Sequence, residues 1–313
     1  MNEAARENIS PIEKIIRQGA RTILTPFIPG QVEGKENLTR IDDLLKKGYG
    51  IVTLYNHISL RDPLQILEDI VLNNKLMQNK EIALSVDLGG YRILKPLFGP
   101  LASRAKMKFC PVVNQTDFGN LKRKHDKQNK KAKNILLVSA DSLNHLAERQ
   151  TRERNELLSL QKKLLSLYFK TVLDVLGEGG IVLIAPQATR KEWLGIPTAN
   201  GDEKSPSAVA TLVAQFDHNK LDKVAFLFIG LGIKNANDYS LKKVGNYNLF
   251  GKYRKYIVHI GPILTKDELK QLGQTAGNEN GKGKTRRGIE KAVREELAKV
   301  VPKEYLQTPL KEN

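Results

Sequence analysis

The sequence contains little cysteine, and this shortage excludes several kinds of site. Cys110 is the only cysteine among 313 residues. The chain therefore cannot form an internal disulfide, and it cannot bind zinc or an iron–sulfur cluster through several thiolates. The five histidines are scattered without the spacing of a metal site. We expect no metal and no resident cofactor, and a reducing compartment fits best.

Long apolar runs are also absent. No stretch approaches the roughly 18 consecutive apolar residues that a membrane-spanning helix needs. The first residues, Met1–Glu3, lack the charged-then-apolar order of a secretory signal. We therefore expect a cytoplasmic protein that is either soluble or bound peripherally to the inner face of a membrane.

Acidic residues are in deficit, since 34 Asp and Glu face 51 Lys and Arg, which gives a net charge of +17. Such an excess suits an anionic partner: nucleic acid, anionic lipid or a phosphorylated small molecule. Part of it lies in the run Lys122–Lys133, which predicts either a solvated loop or an anion-binding patch. Few aromatic residues interleave with this run, which disfavours single-stranded nucleic acid bound by base stacking.

Residues 1–34 are predicted to hold a basic amphipathic helix. Ser10–Glu13 form a capping box with proline at the first helical position. Lys14, Arg17 and Arg21 lie opposite the apolar residues that follow helical spacing, which are Ile12, Ile15, Ile16, Ala20, Ile23 and Leu24. The helix either lies in a bilayer interface or packs on the main domain.

Strand and helix patterns alternate along the rest of the chain. They predict an α/β fold with a mixed, mostly parallel central sheet flanked by helices. We place the main domain at residues 35–265, with a helical insertion near 118–178 and a helical tail at 266–313. The insertion is predicted to contain two helices, near 140–149 and 152–176. The predicted strands are 51–55, 82–86, 108–113, 181–185, 224–233 and 256–260.

The segment Asn56–Asp62 carries the first candidate site. It follows a short apolar strand, and Asp62 with Pro63 predicts the start of a helix over about residues 63–72, with Gln65 at the capping-box position. His57 and Asp62 are five positions apart, a spacing that can align them across a strand–loop–helix corner. There the carboxylate can hold one ring nitrogen and leave the other free as a base. Alternatively, Asp62 only caps the helix and His57 only closes a turn.

The segment Gly179–Lys191 carries the second candidate site. It is a buried strand that runs into a turn with two adjacent cations, Arg190 and Lys191. Ligands of open α/β sheets bind outside the carboxyl ends of the strands. The forked donors of Arg190 could take a phosphate there in two hydrogen bonds, although an arginine considered alone is more often a surface residue than a ligand-binding one.

Together the two segments resemble the glycerophospholipid acyltransferases, which include glycerol-3-phosphate and 1-acylglycerol-3-phosphate O-acyltransferases. Asn56–Asp62 carries the family's N-H-x-S-x-x-D motif intact, and Pro186–Arg190 resembles its P-E-G-T-R turn. Lys95–Leu101 is similar to the family's P-x-F-G segment, and Ile260–Ile263 to its closing strand and turn. The likeness covers about residues 35 to 265. Here Gln187-Ala188 replaces the family's Glu-Gly, which removes a carboxylate and adds a methyl group at the acceptor pocket.

The resemblance implies transfer of a fatty acyl group in phospholipid biosynthesis. The donor would be acyl-CoA or acyl carrier protein, as co-substrate, and the acceptor a hydroxyl of a glycerol phosphate or lysophosphatidate. His57 would act as general base and Asp62 would orient it. The residues expected to bind substrate are Ser59, Arg61, Thr189, Arg190 and Lys191. An anionic membrane surface is the further partner we expect, and nucleic acid is not.

Three other interpretations stay open at this stage. The net charge also suits a nucleic-acid-binding protein, although this leaves the order of the two motifs unexplained. The altered Gln187-Ala188 pair is compatible with a catalytically silent protein of the membrane surface. A hydrolase with Ser59 as nucleophile is disfavoured, because Ser59 lacks the glycine-flanked elbow of such enzymes.

Overall fold

A computed structural model describes residues 30–56, 62–87, 95–96, 99–112, 140–186, 208–233, 256–276 and 284–302. The strands are β1 (Gln31–Glu33), β2 (Gly50–Tyr55), β3 (Ile82–Asp87), β4 (Met107–Val112), β5 (Ile181–Ile184), β6 (Val224–Ile233) and β7 (Tyr256–Thr265). The helices are α1 (Leu38–Lys46), α2 (Asp62–Ile66), α3 (Ala140–Gly177), α4 (Ala208–His218), α5 (Lys266–Ala276) and α6 (Lys284–Val300).

The seven strands found in these ranges form one sheet in the order β1-β7-β6-β2-β5-β3-β4. Every pair is parallel except β6 with β7, which is antiparallel. The predicted mixed, mostly parallel sheet with flanking helices is therefore confirmed. The central strand β2 is buried along its whole length, as its continuous apolar sequence requires in a sheet covered on both faces.

One face of the sheet is covered by α3, α4 and α6, and glycines allow two of these helices to approach closely. A side-chain carbon added to Gly50 or Gly180 would collide with the end of α3, and one added to Gly230 would collide with the end of α6. Phe216 of α4 packs on Phe226 of β6 with ring centroids 6.3 Å apart. We call this side of the sheet the α3 face.

The crossover connections leave the middle of the sheet in opposite directions. From β2 the chain crosses β5 to reach β3, whereas from β5 it crosses β2 to reach β6. Right-handed crossovers of opposite direction place their helices on opposite faces. Since α4, in the β5–β6 connection, lies on the α3 face, α2, in the β2–β3 connection, lies on the other.

The predicted insertion differs from the structure in its helices. Residues 140–177 form one continuous helix instead of two, because no proline or glycine separates the two predicted segments. Its last turns, which include the buried Tyr168, Val172 and Val175, pack against the sheet. The prediction assigned these residues to helix, but it placed a break at the polar residues between the two segments, and polar residues alone do not end a helix.

The helix after β2 also differs from the predicted span of about 63–72. Regular α-helix covers only Asp62–Ile66, and a π-helical turn follows at Leu67–Val71. Single π turns inside helices are uncommon and frequently occur near functional sites. The turn carries two carboxylates, Glu68 and Asp69, both buried.

The two C-terminal helices pack on the sheet and on each other. Gly273 of α5 faces Gly288 of α6, and a side-chain carbon added to Gly288 would lie well under 3.0 Å from the Gly273 carbonyl oxygen. Buried Ile289, Val293 and Leu297 of α6 belong to the main hydrophobic core. The predicted tail 266–313 thus contributes core residues, and β1 begins before residue 35, where the main domain was predicted to start. Most of the predicted N-terminal helix region, residues 1–29, lies outside the described residues.

Candidate functional site

The segments that carry the two motifs leave the sheet from neighbouring strands at the same edge. Strands β2 and β5 are parallel, and Leu54 is paired with Ile184. Residue 57 therefore follows the carboxyl end of one strand, and residue 187 follows the carboxyl end of the strand beside it. The crossovers from these two strands diverge, which is the topological switch point where open α/β sheets bind ligands.

Asp62 is the one predicted site residue that falls within the described part of the chain. It is the first residue of α2 and its exposed fraction is 0%. A buried carboxylate needs hydrogen-bonding or charged partners, and Asp62 does have polar partners in the structure. The aspartate of the first motif therefore belongs to the interior and not to the surface.

The neighbouring Tyr55, the last residue of β2, shares this buried environment. Burial, and secondly the charges of Asp62 and Tyr168, raise the pKa of the Tyr55 phenol above its ordinary value of 10.0. Tyr55 is therefore a neutral phenol throughout the physiological range. A neutral phenol can donate a hydrogen bond without adding charge beside the carboxylate.

Asn56 fixes the end of β2 to the adjacent strand β6. Its side-chain Nδ2 donates to the backbone oxygen of Leu231 at 2.9 Å, and its Oδ1 accepts from the Leu231 backbone N–H at 2.6 Å. The amide thus imitates one more peptide of the β2–β6 ladder. Asn56 is buried, so the point at which the chain enters residue 57 is fixed by two buried hydrogen bonds.

A second set of polar contacts holds the helix that follows the first motif. Asp69 accepts from the side-chain Nε2 of Gln65 at 2.5 Å and from the backbone N–H of Gly30 at 2.9 Å. These bonds join α2, its π turn and the residue before β1. The contacts of Asp69 therefore connect the helical segment that begins at Asp62 with the residue before β1, the strand at one edge of the sheet.

The remaining predicted site residues lie outside the described part of the chain. The altered pair Gln187-Ala188 and the basic run Lys122–Lys133 also lie outside the described part. The structure thus brings together the strand ends from which both motifs start, and of the two motifs it describes the residues Asn56, Asp62 and Pro186. The predicted site residues concerned are His57, Ser59, Arg61, Thr189, Arg190 and Lys191.

The sequence assigned Asn56 no role of its own, and its two hydrogen bonds to the Leu231 backbone were not predicted. We call this pair of bonds the Asn56 clamp. The available signal was its position, since it follows directly on a buried strand and precedes the candidate histidine. Its partner could not be inferred, because the two residues are far apart in sequence and meet only through the pairing of β2 with β6.

Neither a metal centre nor a membrane span is found in the described ranges. There, no three His, Cys, Asp or Glu side chains are placed to hold a metal ion. None of the helices in those ranges is both long enough and apolar enough to cross a bilayer. Compared with known proteins, the chain matches no family model and no curated protein sequence.

Proposed function

We propose that this protein is an O-acyltransferase of phospholipid biosynthesis. It moves a fatty acyl group from acyl-CoA or acyl carrier protein to a hydroxyl of glycerol 3-phosphate or a lysophosphatidate. His57 is the general base and Asp62 orients its ring. The enzyme acts in the cytoplasm as a peripheral protein of the inner membrane face.

The observation that supports this proposal most is the pairing of Leu54 with Ile184. The two motifs are more than a hundred residues apart in sequence, yet they start from adjacent strand ends at a switch point. A base and a phosphate-binding cation that serve one acceptor molecule must share one crevice. Of the edges of the sheet, this is the one at which ligands of such folds bind.

The burial of Asp62 suits the role of an orienting carboxylate. A buried carboxylate bound to one nitrogen of His57 would fix the ring tautomer and stabilise the imidazolium that forms during the reaction. The two buried bonds of Asn56 would limit the movement of the backbone next to His57. Such positioning contributes to rate because the reacting groups are held in place before reaction.

The chemical step needs no covalent enzyme intermediate. The acceptor hydroxyl oxygen attacks the thioester carbonyl carbon while His57 takes the hydroxyl proton. The carbon–sulfur bond then breaks, and His57 returns the proton to the leaving thiolate. The new bond is an ester, and the free thiol of the carrier is the second product. Arg190, with Thr189 and Lys191, holds the acceptor phosphate, while Ser59 braces the loop and Arg61 contacts the anionic substrate.

The test is acyl transfer by the purified protein, followed by release of free thiol and by lipid product analysis. Both thioester donors should be tried with a panel of phosphorylated glycerol acceptors. His57→Ala should lose at least about a hundredfold in rate, the low end for general-base catalysis. His218→Ala is the matched control, because His218 is exposed at the end of α4.

Two further variants separate the roles of the motifs. Asp62→Asn should lower kcat, whereas Arg190→Ala should mainly raise KM for a phosphorylated acceptor. Arg104→Ala, at an exposed arginine before β4, should change neither parameter. Full activity in His57→Ala would refute the mechanism, and an unchanged KM in Arg190→Ala would place the acceptor phosphate elsewhere.

A further inference from the structure

The helical segment that follows the first motif buries a polar side. The exposed fractions of Asp62, Gln65 and Asp69 are 0%, 0% and 6%. These residues are spaced by three and four positions, so they lie on one side of the helix. A buried helix usually turns apolar side chains toward the core, because buried polar groups cost free energy unless they are hydrogen-bonded. This polar side therefore needs a reason other than packing.

Gln65 and Asp69 bind each other across the junction between α2 and its π turn. The Gln65 Nε2 donates to Asp69 Oδ2 at 2.5 Å, and Asp69 Oδ1 accepts from the Gly30 backbone N–H at 2.9 Å. A hydrogen bond to an ionised acceptor is shorter than one between neutral groups and about twice as strong. Asp69 thus joins the helix to the chain that leads into β1.

The chain at Gly30 is held in place by the sheet. Strand β1 begins at the next residue and is paired with β7 along its whole length, starting with Gln31 opposite Ile257. Asp69 therefore connects α2 to a part of the backbone that has a fixed register. A side contact of this kind resists rotation of the helix about its own axis, which the connections at the two ends of a helix do not prevent.

A small rotation of this helix would move Asp62 by a distance that matters for catalysis. A helix with its side chains is about 10–12 Å across, so a rotation of about 10° carries a side chain at its rim about 1 Å sideways. A displacement of about 1 Å can cost about a hundredfold in rate. Asp62 is the first residue of α2, three positions before Gln65. The contact that fixes the rotation of α2 therefore also fixes the Asp62 carboxylate.

We propose that Gln65 and Asp69 are positioning residues for the pair His57 and Asp62. Their bond sets the rotation of α2 and thereby places the Asp62 carboxylate against the ring of His57. Asp69 lies in the π turn, and such turns occur frequently near functional sites. The proposal rests on the proposed function and deepens it, since it assigns the geometry of the base to a contact outside both motifs.

The test measures acyl transfer and urea unfolding on the same purified variants of the full chain. Gln65→Met removes the donor without changing the net charge, and Asp69→Asn removes the ionised acceptor. Each should lower kcat at least about tenfold. The KM for a phosphorylated acceptor should stay within about twofold of the wild-type value, because other residues bind the acceptor phosphate.

An exchange of the two polar groups should rescue the rate. In the double variant Gln65→Glu with Asp69→Asn, the new amide can donate to the new carboxylate, so the bond is rebuilt in the opposite direction. The oxygen of the new amide can still accept from the Gly30 N–H. We expect kcat to return to within about threefold of the wild-type value.

Asp42→Ala is the matched control, because it breaks a bond of the same kind away from Asp62. Asp42 of α1 accepts from the side-chain amide of Asn74 at 2.7 Å, and Asn74 lies beyond the end of the π turn. This variant should lose stability but keep kcat within about twofold of the wild-type value. Comparison with it separates a loss of position from a loss of stability.

A second measurement does not depend on acyl transfer. An adjacent carboxylate favours the imidazolium form and raises the pKa of a histidine, so an NMR titration of His57 reports where Asp62 lies. The variant His57→Ala identifies the resonance among the five histidines. The pKa of His57 should be lower in Asp62→Asn than in the wild type. It should also be lower in Gln65→Met, in which no charge changes.

Three results would overturn the proposal. The first is a wild-type kcat in Gln65→Met and Asp69→Asn despite reduced stability, and the second is an unchanged pKa of His57 in Gln65→Met. The third is a double variant that stays as slow as Asp69→Asn. If the wild type transfers no acyl group but the pKa of His57 responds as expected, only the proposed function fails. If transfer is normal in every variant of Gln65 and Asp69, only the positioning role fails.

Discussion

Replacing Asn56 by alanine should destabilise the protein strongly, because two buried hydrogen bonds disappear together. The N–H and the carbonyl of Leu231, which bond to the Asn56 amide at 2.6 and 2.9 Å, would lose their partners in the core. A buried polar group without a partner costs about 1–3 kcal/mol. We therefore expect the free energy of unfolding to fall by about 2–6 kcal/mol, the lower end applying if water enters the space. Urea unfolding at pH 7, followed by circular dichroism, measures this change.

Replacing Asn56 by aspartate should give a loss that depends on pH. One carboxyl oxygen can still accept from the Leu231 N–H, but the other then faces the Leu231 carbonyl oxygen. Burial and this facing oxygen favour the protonated acid, so the pKa of the new carboxyl is raised in the folded state. In the unfolded chain the pKa is about 3.9. The unfolded state then releases its proton first, so stability relative to wild type falls as pH rises above about 4.

The control for both variants is Asn219→Ala. Asn219 also donates a side-chain hydrogen bond, to the Gln215 carbonyl at 2.7 Å, but it is exposed. Its loss should therefore cost less than about 0.5 kcal/mol. If Asn56→Ala resembled this control, or if Asn56→Asp lost the same stability at pH 4 and pH 8, the clamp would not hold β2 to β6.

Three further outcomes follow from buried contacts elsewhere in the fold. Gly288→Ala should separate α5 from α6 and lower the free energy of unfolding by about 1–3 kcal/mol. Gly177→Ala should leave the free energy of unfolding unchanged, because there is open space around Gly177. Urea unfolding of the two variants measures both effects. Desolvation disfavours the ionised carboxylate of Asp217 and by itself would raise its pKa. Hydrogen bonds from Lys270 and Lys266 favour the carboxylate more strongly and hold its pKa below the ordinary value of 3.8. That stabilisation is complete above pH 3.8 and is lost as pH falls below it, so the melting temperature of Lys266→Met should fall less steeply between about pH 4 and pH 2. Burial raises the pKa of the Cys110 thiol to about 12, so an aromatic disulfide reagent should react with it slowly at pH 8 and rapidly only in urea.

The sheet was accessible to sequence reasoning because its strands are continuous apolar runs. Residues 51–55 and 181–184 have few alternatives to a buried strand. The position of β7 was harder, since Gly261-Pro262 lies inside the strand and suggested that it ended at Ile260. In the structure β7 continues to Thr265 beside β6, with an irregularity in the pairing near Ile229. Tertiary pairing overrides a local turn signal here.

The candidate site was accessible only in part. The spacing of His57 and Asp62 and the cations after β5 could be found in the sequence, because strand ends of an α/β sheet are where polar residues gather. That β2 and β5 are neighbours could not be found, since strand order is not a property of any one segment. The hydrogen bonds of Asn56 to Leu231 depend on β6 lying beside β2, so they could not be predicted from the sequence either.

The strand order also has a consequence for the order in which the fold is assembled. β2 is made early, but both of its partners come much later, since Ile51 pairs with Ile181 on one side and with Ala225 on the other. Among the described strands, only β3 and β4 can pair before β5 has been made. Until then the apolar strand Gly50–Tyr55 has no neighbour in the sheet, and contacts over such long separations form slowly. The central sheet can therefore be completed only late in synthesis, and the edge from which both motifs leave cannot exist before β5 has been made.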